Sequence, residues 1–283
     1  MAVKSAIEAV IFLVCRDETE MIHSKRHGEI LPLLGEQGTV TIAELAERLG
    51  VSPETVRRDV RPLTDDGVAV KMHGAIGLPS MTGEAPFERR MRENAEAKRT
   101  IAHMVAGTIR DGESVMMDTG TTTSFLAREL LGHRRLTVVT NSSDIARTLA
   151  TVNGNKVYMA GGELRSDSGA AFGASAIDFV SRFSVTHSII SVGAINAENG
   201  VMDHDLAEAE FARMVLSRGQ RSVVVTDHTK FGRHGLVRVC GLDGISELAT
   251  DWPPPADIVE ALALGGTRLV VANEAASASA AVR

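Results

Sequence analysis

The stretch TIAELAERLGVSPETVRRDVRPL, Thr41–Leu63, reads as two short helices joined by a tight turn. Ile42, Leu45, Ala46 and Leu49 recur at i, i+3, i+4 and i+7, the spacing of one buried helix face. Thr41 and Glu44 stand at the spacing of a capping box, which fixes where the first helix starts. Gly50 ends it. Ser52 suits an N-cap and Pro53 the first position of the second helix, whose buried seam is Val56, Val60 and Leu63. At about 100° per residue, Arg57, Arg58 and Arg61 point away from that seam. A short helix packed on one side and carrying guanidinium groups on the other fits a DNA major groove, so double-stranded DNA is the leading partner.

Downstream, Val68, Val70 and Met72 alternate with Ala69, Lys71 and His73 before Gly74. This predicts a small hairpin, or wing, that sets Lys71 and His73 near a phosphate backbone. Pro62 has no N–H to give the carbonyl of Arg58, which predicts that the second helix ends early.

The chain has 283 residues, 44% hydrophobic and 23% charged, with a net charge of −6. That length accommodates two domains, and the balance is that of a globular protein outside the membrane. Two cysteines, Cys15 and Cys240, exclude a disulfide framework and a zinc finger and fit the cytoplasm. His204 and His228 sit beside aspartates but not at metal-ligand spacing, so neither a metal nor a cofactor is expected. The region Met21–Ile76 carries seven Lys/Arg against eight Asp/Glu. Positive charge is therefore local, and DNA binding needs two copies to sum their patches, with strong salt dependence.

Ala6–Cys15 is apolar but too short to span a bilayer. Residues 1–20 are read as an N-terminal extension, either an extra helix or a stretch upstream of a true start at Met21. The DNA-binding domain is assigned to 21–78, a linker rich in Pro, Gly, Ser and Thr to 79–95, an α/β domain to 96–272, and a flexible tail to 273–283.

In the second domain a helix is predicted through Ile109. Short apolar runs then alternate with helical patterns such as Thr123–Leu131 and Leu206–Ser217. The runs are Ser114–Met117, Thr137–Thr140, Lys156–Ala160, Ser188–Val192, Arg221–Thr226 and Leu269–Ala272. Several lack polar alternation, as strands covered on both faces do, so an open parallel α/β sheet is expected. Ligands of such sheets bind at the carboxyl ends of the strands. There the chain places Asp118-Thr119-Gly120-Thr121-Thr122, Thr140-Asn141-Ser142, Gly161-Gly162 and Thr226-Asp227-His228-Thr229-Lys230. Hydroxyls and free N–H groups at a helix N-terminus suit a phosphate ester. Lys230 could neutralise it, and Asp118 could accept bonds from sugar hydroxyls.

These motifs carry a resemblance. SPETVRRD at Ser52–Asp59, preceded by RHGEI at Arg26–Ile30 and followed by KMHGA at Lys71–Ala75, resembles the winged helix-turn-helix of the DeoR family of bacterial transcription regulators. Single Gly74 stands where that family has a double glycine. The later series is similar to the DeoR sensor domain, related in fold to ribose-5-phosphate isomerase: Lys98, DTGTT at Asp118–Thr122, TNS at Thr140–Ser142, Gly161-Gly162, Glu210 and TDHTKF at Thr226–Phe231. The resemblance implies DNA contacts from Ser52, Thr55, Arg57, Arg58, Arg61, Lys71 and His73. It implies a phosphorylated sugar held by Lys98, Asp118, Gly120, Thr121, Thr122, Asn141, Gly161, Gly162, Glu210 and Lys230. It also implies a repressor of sugar or polyol catabolism; a helix-turn-helix reading a palindrome needs at least two copies, so a homodimer or homotetramer is expected. The alternative is a sugar-phosphate isomerase-like enzyme on the same scaffold. Isomerisation needs a positioned base, and the loop Gly193–Gly200 offers only Glu198, so regulation is the preferred reading.

Overall fold

The computed structural model describes residues 26–37, 39–65, 68–72, 74–77 and 85–272. Expectations for residues 1–20, for His73 and for the tail 273–283 lie outside the described residues. The chain divides into two compact units, one ending at Ala85 and the other beginning at Pro86.

The first unit runs α1 (His27–Gln37), β1 (Thr39–Thr41), α2 (Ile42–Leu49), α3 (Pro53–Asp65), β2 (Val70–Met72) and β3 (Ala75–Gly77). Local signals set these boundaries. The Thr41 Oγ1 accepts from Glu44 N at 3.1 Å, and Thr41 N donates to Glu44 Oε2 at 2.9 Å. Gly50 turns left-handed at φ 63° and its N–H closes the last turn of α2. The Ser52 hydroxyl accepts from Thr55 N at 3.2 Å, starting α3. Ile30, Leu34, Leu45, Val56, Val60, Leu63 and Ile76 form one core. Burying each such side chain contributes about 1.5–3 kcal/mol. The buried Asp59 ties α1 to α3: Arg26 Nε donates to its carboxylate at 2.5 Å, and His27 Nε2 to its carbonyl at 2.6 Å.

Two expectations are corrected in this unit. The second helix does not stop at Pro62 but continues to Asp65. The proline removes one hydrogen bond, and Arg58, whose carbonyl loses it, is exposed and open to water. Buried Leu63 holds the final turn against the core, and Thr64 Oγ1 donates to Arg61 O at 2.9 Å. The wing's first strand is also shorter than the alternation predicts. It begins at Val70, and Ala69 before it is buried with its N–H on Leu63 O. The wing pairs β2 with β3 antiparallel, and β3 with β1. Gly74 is left-handed at φ 70°, and its carbonyl accepts from Ile42 N at 2.9 Å.

The second unit opens with α4 (Phe87–Arg92) and α5 (Ala95–Ala106). A short helix thus occupies part of the 79–95 stretch expected to be linker. Lys98 on α5 is buried and its ammonium donates to Arg90 O and, at 2.7 Å, to Glu93 O, closing the carboxyl end of α4. Then come β4 (Ser114–Met117), α6 (Thr121–Glu129), β5 (Thr137–Thr140), α7 (Ser143–Leu149), β6 (Lys156–Met159), α8 (Ala174–Ser181) and β7 (Val185–Ser191). After β8 (Ala194–Asn196), β9 (Gly200–Asp203) and α9 (Leu206–Leu216) the chain forms β10 (Gly219–Thr226), β11 (Val237–Cys240), β12 (Glu247–Thr250), α10 (Ala256–Leu264) and β13 (Arg268–Val271).

Seven strands form one parallel sheet in the order β13-β12-β10-β7-β4-β5-β6. Side chains alternate across it. Met116, Val139, Ile190, Val224 and Leu248 face one core with Val180, Phe211 and Leu262. Val115, Met117, Val138, Ile189 and Val225 face the other with Ile101, Leu126 and Ile145. Both faces are covered, which explains the lack of polar alternation. The segment Gly193–Gly200, expected to be a loop, carries β8 and leads into β9, and β11-β9-β8 form a small antiparallel sheet.

Candidate functional sites

In the first unit, α3 and the wing enclose a groove of about 890 Å³ lined by Ser52, Glu54, Thr55, Arg57, Arg58, Arg61, Lys71 and Gly74, among others. The core seam of α3 (Val56, Val60, Leu63) fixes the helix roll, so the arginines face outward. Arg57 Nη1 lies 3.0 Å from Glu54 Oε2, Arg61 Nε 3.7 Å from Asp65 Oδ2, and Arg58 Nε 4.0 Å from Asp59 Oδ1. Pairs this exposed contribute only about 0.2–1 kcal/mol and yield readily to a phosphate. Six residues expected to contact DNA (Ser52, Thr55, Arg57, Arg58, Arg61 and Lys71) line this one groove. Ser52 also builds it, as the cap of α3, and its hydroxyl bonds that of Thr55 at 2.9 Å.

In the second unit, strands are added outward in both directions from the β4–β7 junction: β5 and β6 on one side, β10, β12 and β13 on the other. The carboxyl ends of β4 and β7 are therefore the topological switch point, the place where open α/β sheets bind their ligands in a crevice. The Asp118 carboxylate spans it, accepting from Ser191 N at 3.1 and 3.3 Å. Gly120 is required by close approach, since a Cβ there would overlap the Ser191 hydroxyl. Thr123 Oγ1 donates to Asp118 O and Gly120 O at 3.1 and 3.0 Å and holds the loop. Gly120 brings no side chain to cap α6, and the first N–H groups of a helix have no partner within it. Thr121 and Thr122 are at that terminus.

Asp118 is buried, and burial pushes its carboxyl well above the usual carboxylate range, with the negative charges of Asp203 and Glu208 pushing the same way. Arg165, in the segment after β6, donates to Asp205 Oδ1 and Glu208 Oε1, both at 2.7 Å, and lies 4.4 Å from the centre of the Phe172 ring. Burial alone would raise Asp205, but the Arg165 bond and the α9 backbone N–H groups outweigh it and hold its carboxyl low. Asn141, at the end of β5, is fully buried. Its Nδ2 donates to Ala171 O at 2.9 Å, while its Oδ1 has no partner among the described residues.

The remaining expected residues are distributed unevenly. Gly161 and Gly162 follow β6 and are exposed. Lys230 lies at the end of β10, where the Asp227 carboxylate accepts from Thr229 N at 3.1 Å and from Asn94 Nδ2 at 3.2 Å. The Lys98 ammonium is committed to the end of α4. Burial lowers its pKa and the nearby Asp227 partly restores it. Glu210 is not brought into the crevice. It is exposed, about 200° around α9 from Glu208. Glu198 is exposed at the β8–β9 turn. Reading by sequence missed Arg165, Ser191, Asp203 and Glu208. Asp205-x-x-Glu208 has capping spacing and could have been noticed; nothing local announces that Arg165 reaches residues 40 and 43 positions away. Among the described residues no three His, Cys, Asp or Glu side chains are placed to hold a metal ion, and no helix is long and apolar enough to cross a membrane.

Residues 26–82 match the DeoR-like helix-turn-helix domain and residues 93–252 the DeoR C terminal sensor domain. The glycerol-3-phosphate regulon repressor of Escherichia coli (strain K12) is 34% identical over 86% of this chain and 96% of its own length. The HTH-type transcriptional repressor CsqR of the same organism is 34% identical over 90% of this chain and 98% of its own. The HTH-type transcriptional regulator IolR of Bacillus subtilis (strain 168) is 27% identical over 76% and 86%. Among solved structures, a ribose 5-phosphate isomerase A from Methanocaldococcus jannaschii aligns over 49% of this chain and 55% of its own, with 13% identity and a TM-score of 0.37.

Proposed function

The chain belongs to the DeoR family of transcription regulators, and on that footing we propose that it represses a sugar or polyol catabolic operon. It grips a double-stranded operator through α3 and the β2–β3 wing and releases it when a phosphorylated sugar occupies the switch-point crevice. The observation that carries the DNA half is the gathering of Ser52, Thr55, Arg57, Arg58, Arg61 and Lys71 on one groove. Arg57 and Arg58 make the main contacts, Ser52 and Thr55 reach the backbone from the helix start, and Lys71 follows the phosphates from the wing. A helix-turn-helix reading a palindrome works in at least two copies, so the protein acts in the cytoplasm as a homodimer or homotetramer.

In the crevice, the free N–H groups of Thr121 and Thr122 at the start of α6 receive the phosphate, with Lys230 supplying charge. Asp118 and the unpaired Oδ1 of Asn141 take sugar hydroxyls, which can donate to them. Gly161 and Gly162 leave room at the rim. Glu208 takes the place given to Glu210, and Lys98 positions α4 rather than touching the ligand. Neither a cofactor nor a metal is required. Names of relatives support this reading: each is a regulator, and one is the repressor of a glycerol-3-phosphate regulon.

The test is the double variant Arg57→Ala/Arg58→Ala, measured by fluorescence anisotropy on DNA from the region upstream of the chain's own gene. Both side chains are exposed, so the fold survives. We expect specific binding to fall at least about tenfold. Affinity equal to the wild-type chain would refute the assignment.

A further inference from the structure

The groove is lined by two acids, Glu54 and Asp65, which a DNA-binding face would not be expected to hold; Asp65 ends α3 and lies 3.7 Å from Arg61, whereas Glu54 stands at its start. Glu54 is an acid, 84% exposed, on the same wall as the arginines. Its angular position is central. At about 100° per residue, Arg57 and Arg58 fall on either side of Glu54 around the helix, and Arg61 falls almost in line with it, two turns on. The buried seam of Val56, Val60 and Leu63 lies on the opposite side. Glu54 therefore points almost directly away from the core, in the middle of the arginine stripe. It is the second residue of α3, and the recognition helix of this motif puts its N-terminal residues against base edges. The other acids of α3 are placed differently: Asp59 is buried against Arg26, and Asp65 is the last helical residue.

A carboxylate carried into a groove walled by phosphates is repelled and loses its water, which is unfavourable unless a donor meets it. The major groove offers two kinds of base-edge amine: N4 of cytosine and N6 of adenine. Adenine sets the N7 acceptor beside its amine, which repels a carboxylate, and cytosine does not. Arg57 Nη1 lies 3.0 Å from Glu54 Oε2, so acceptor and donor are presented side by side. A C·G pair presents the complement: the cytosine amine on one base, and the O6 and N7 acceptors of guanine on the other.

We propose that Glu54 is a specificity-determining residue that accepts a hydrogen bond from cytosine N4 in each operator half-site, with Arg57 beside it donating to guanine. This rests on the DNA-binding reading above. A purely structural Glu54 would only favour the helix start and pair with Arg57, and its removal would relieve repulsion equally for every DNA sequence.

The experiment begins with the full chain selecting sites from a library of randomised duplexes. Anisotropy at fixed salt on every single-base variant of the selected site follows, for wild type, Glu54→Ala and Glu54→Gln. The wild type should show a C·G preference of roughly five- to hundredfold at one position per half-site. Glu54→Ala should lose it there and keep discrimination elsewhere. Glu54→Gln should move the preference toward adenine, whose N6 and N7 match an amide. If both variants bind all sequences more tightly by one common factor, with the wild-type preference profile unchanged, Glu54 does not read a base. A wild-type chain that selects no site at all overturns the DNA-binding reading and this inference together, which distinguishes the two failures.

Discussion

Asp118 shows how a single side chain links stability to the site. Burial, reinforced by Asp203 and Glu208, raises its carboxyl well above the ordinary value of 3.8. An acid with a raised folded value keeps its proton while the unfolded chain releases it. Stability therefore falls as pH climbs from about 3.8 through the raised value, and the penalty is then constant. Asp118→Asn keeps an oxygen for Ser191 N and has no proton to lose. At pH 7 its sensor unit should melt above wild type by roughly 2–4 °C, the effect of about 1 kcal/mol in a domain of this size. The difference should vanish as pH approaches 4. A variant less stable than wild type by the same amount at both pH values would show that the buried charge is not the cause. The negative charges of Asp203 and Glu208 make the surroundings of Asp118 unfavourable for an anion. Asp118 suits a hydroxyl instead, which is why the phosphate is assigned to the start of α6.

At the scale of elements, what the sequence discloses depends on how local the cause is. The boundaries of α2 and α3 are legible because Thr41, Glu44, Gly50, Ser52 and Pro53 act within a turn of where they stand. The parallel sheet is legible because strands covered on both faces are written as apolar runs. β12 is not, since Glu247–Thr250 is four residues opening on a charge that Arg221 neutralises at 2.6 Å from a neighbouring strand. The small β11-β9-β8 sheet is equally hidden, because Gly193–Gly200 has the composition of a loop. The crevice is half legible: Asp118, Gly120 and Asn141 stand at strand ends, while Arg165, Glu208 and Ser191 join through contacts that no local pattern encodes. The expectation at Pro62 fails because its missing bond counts for less than the Leu63 anchor beyond it. Pro62→Ala restores an N–H for Arg58 O and should raise the stability of the first unit by about 1–3 kcal/mol. A circular-dichroism melt checks this, and no gain would show that the proline costs the helix nothing. At the switch point, Gly120→Ala should destabilise by about 1–3 kcal/mol, because the new Cβ meets Ser191. Adding Ser191→Gly should recover part of the loss, so that the double variant falls short of the sum of the singles. Strict additivity in denaturant titrations would mean the close approach is not what demands glycine.

For the whole molecule, a net charge of −6 leaves no general attraction for DNA, so binding depends on the local basic patch of the groove and on salt. Arg58→Ala, if that arginine holds a phosphate, should reduce the slope of log affinity against log salt by about 1 for each site removed. The proposed regulation requires that sugar phosphate and operator each weaken the other's binding by the same factor, as linkage demands. The decisive experiment is fluorescence anisotropy of the full chain on its upstream DNA at fixed salt, titrated with a panel of phosphorylated sugars and polyols. We expect specific binding released by one compound or a close group, with affinity falling about 5–150-fold, and no release by the same compound without its phosphate. Specific binding that stays unchanged at saturating concentrations of every phosphorylated compound in the panel would rule out control through the crevice by a phosphorylated sugar.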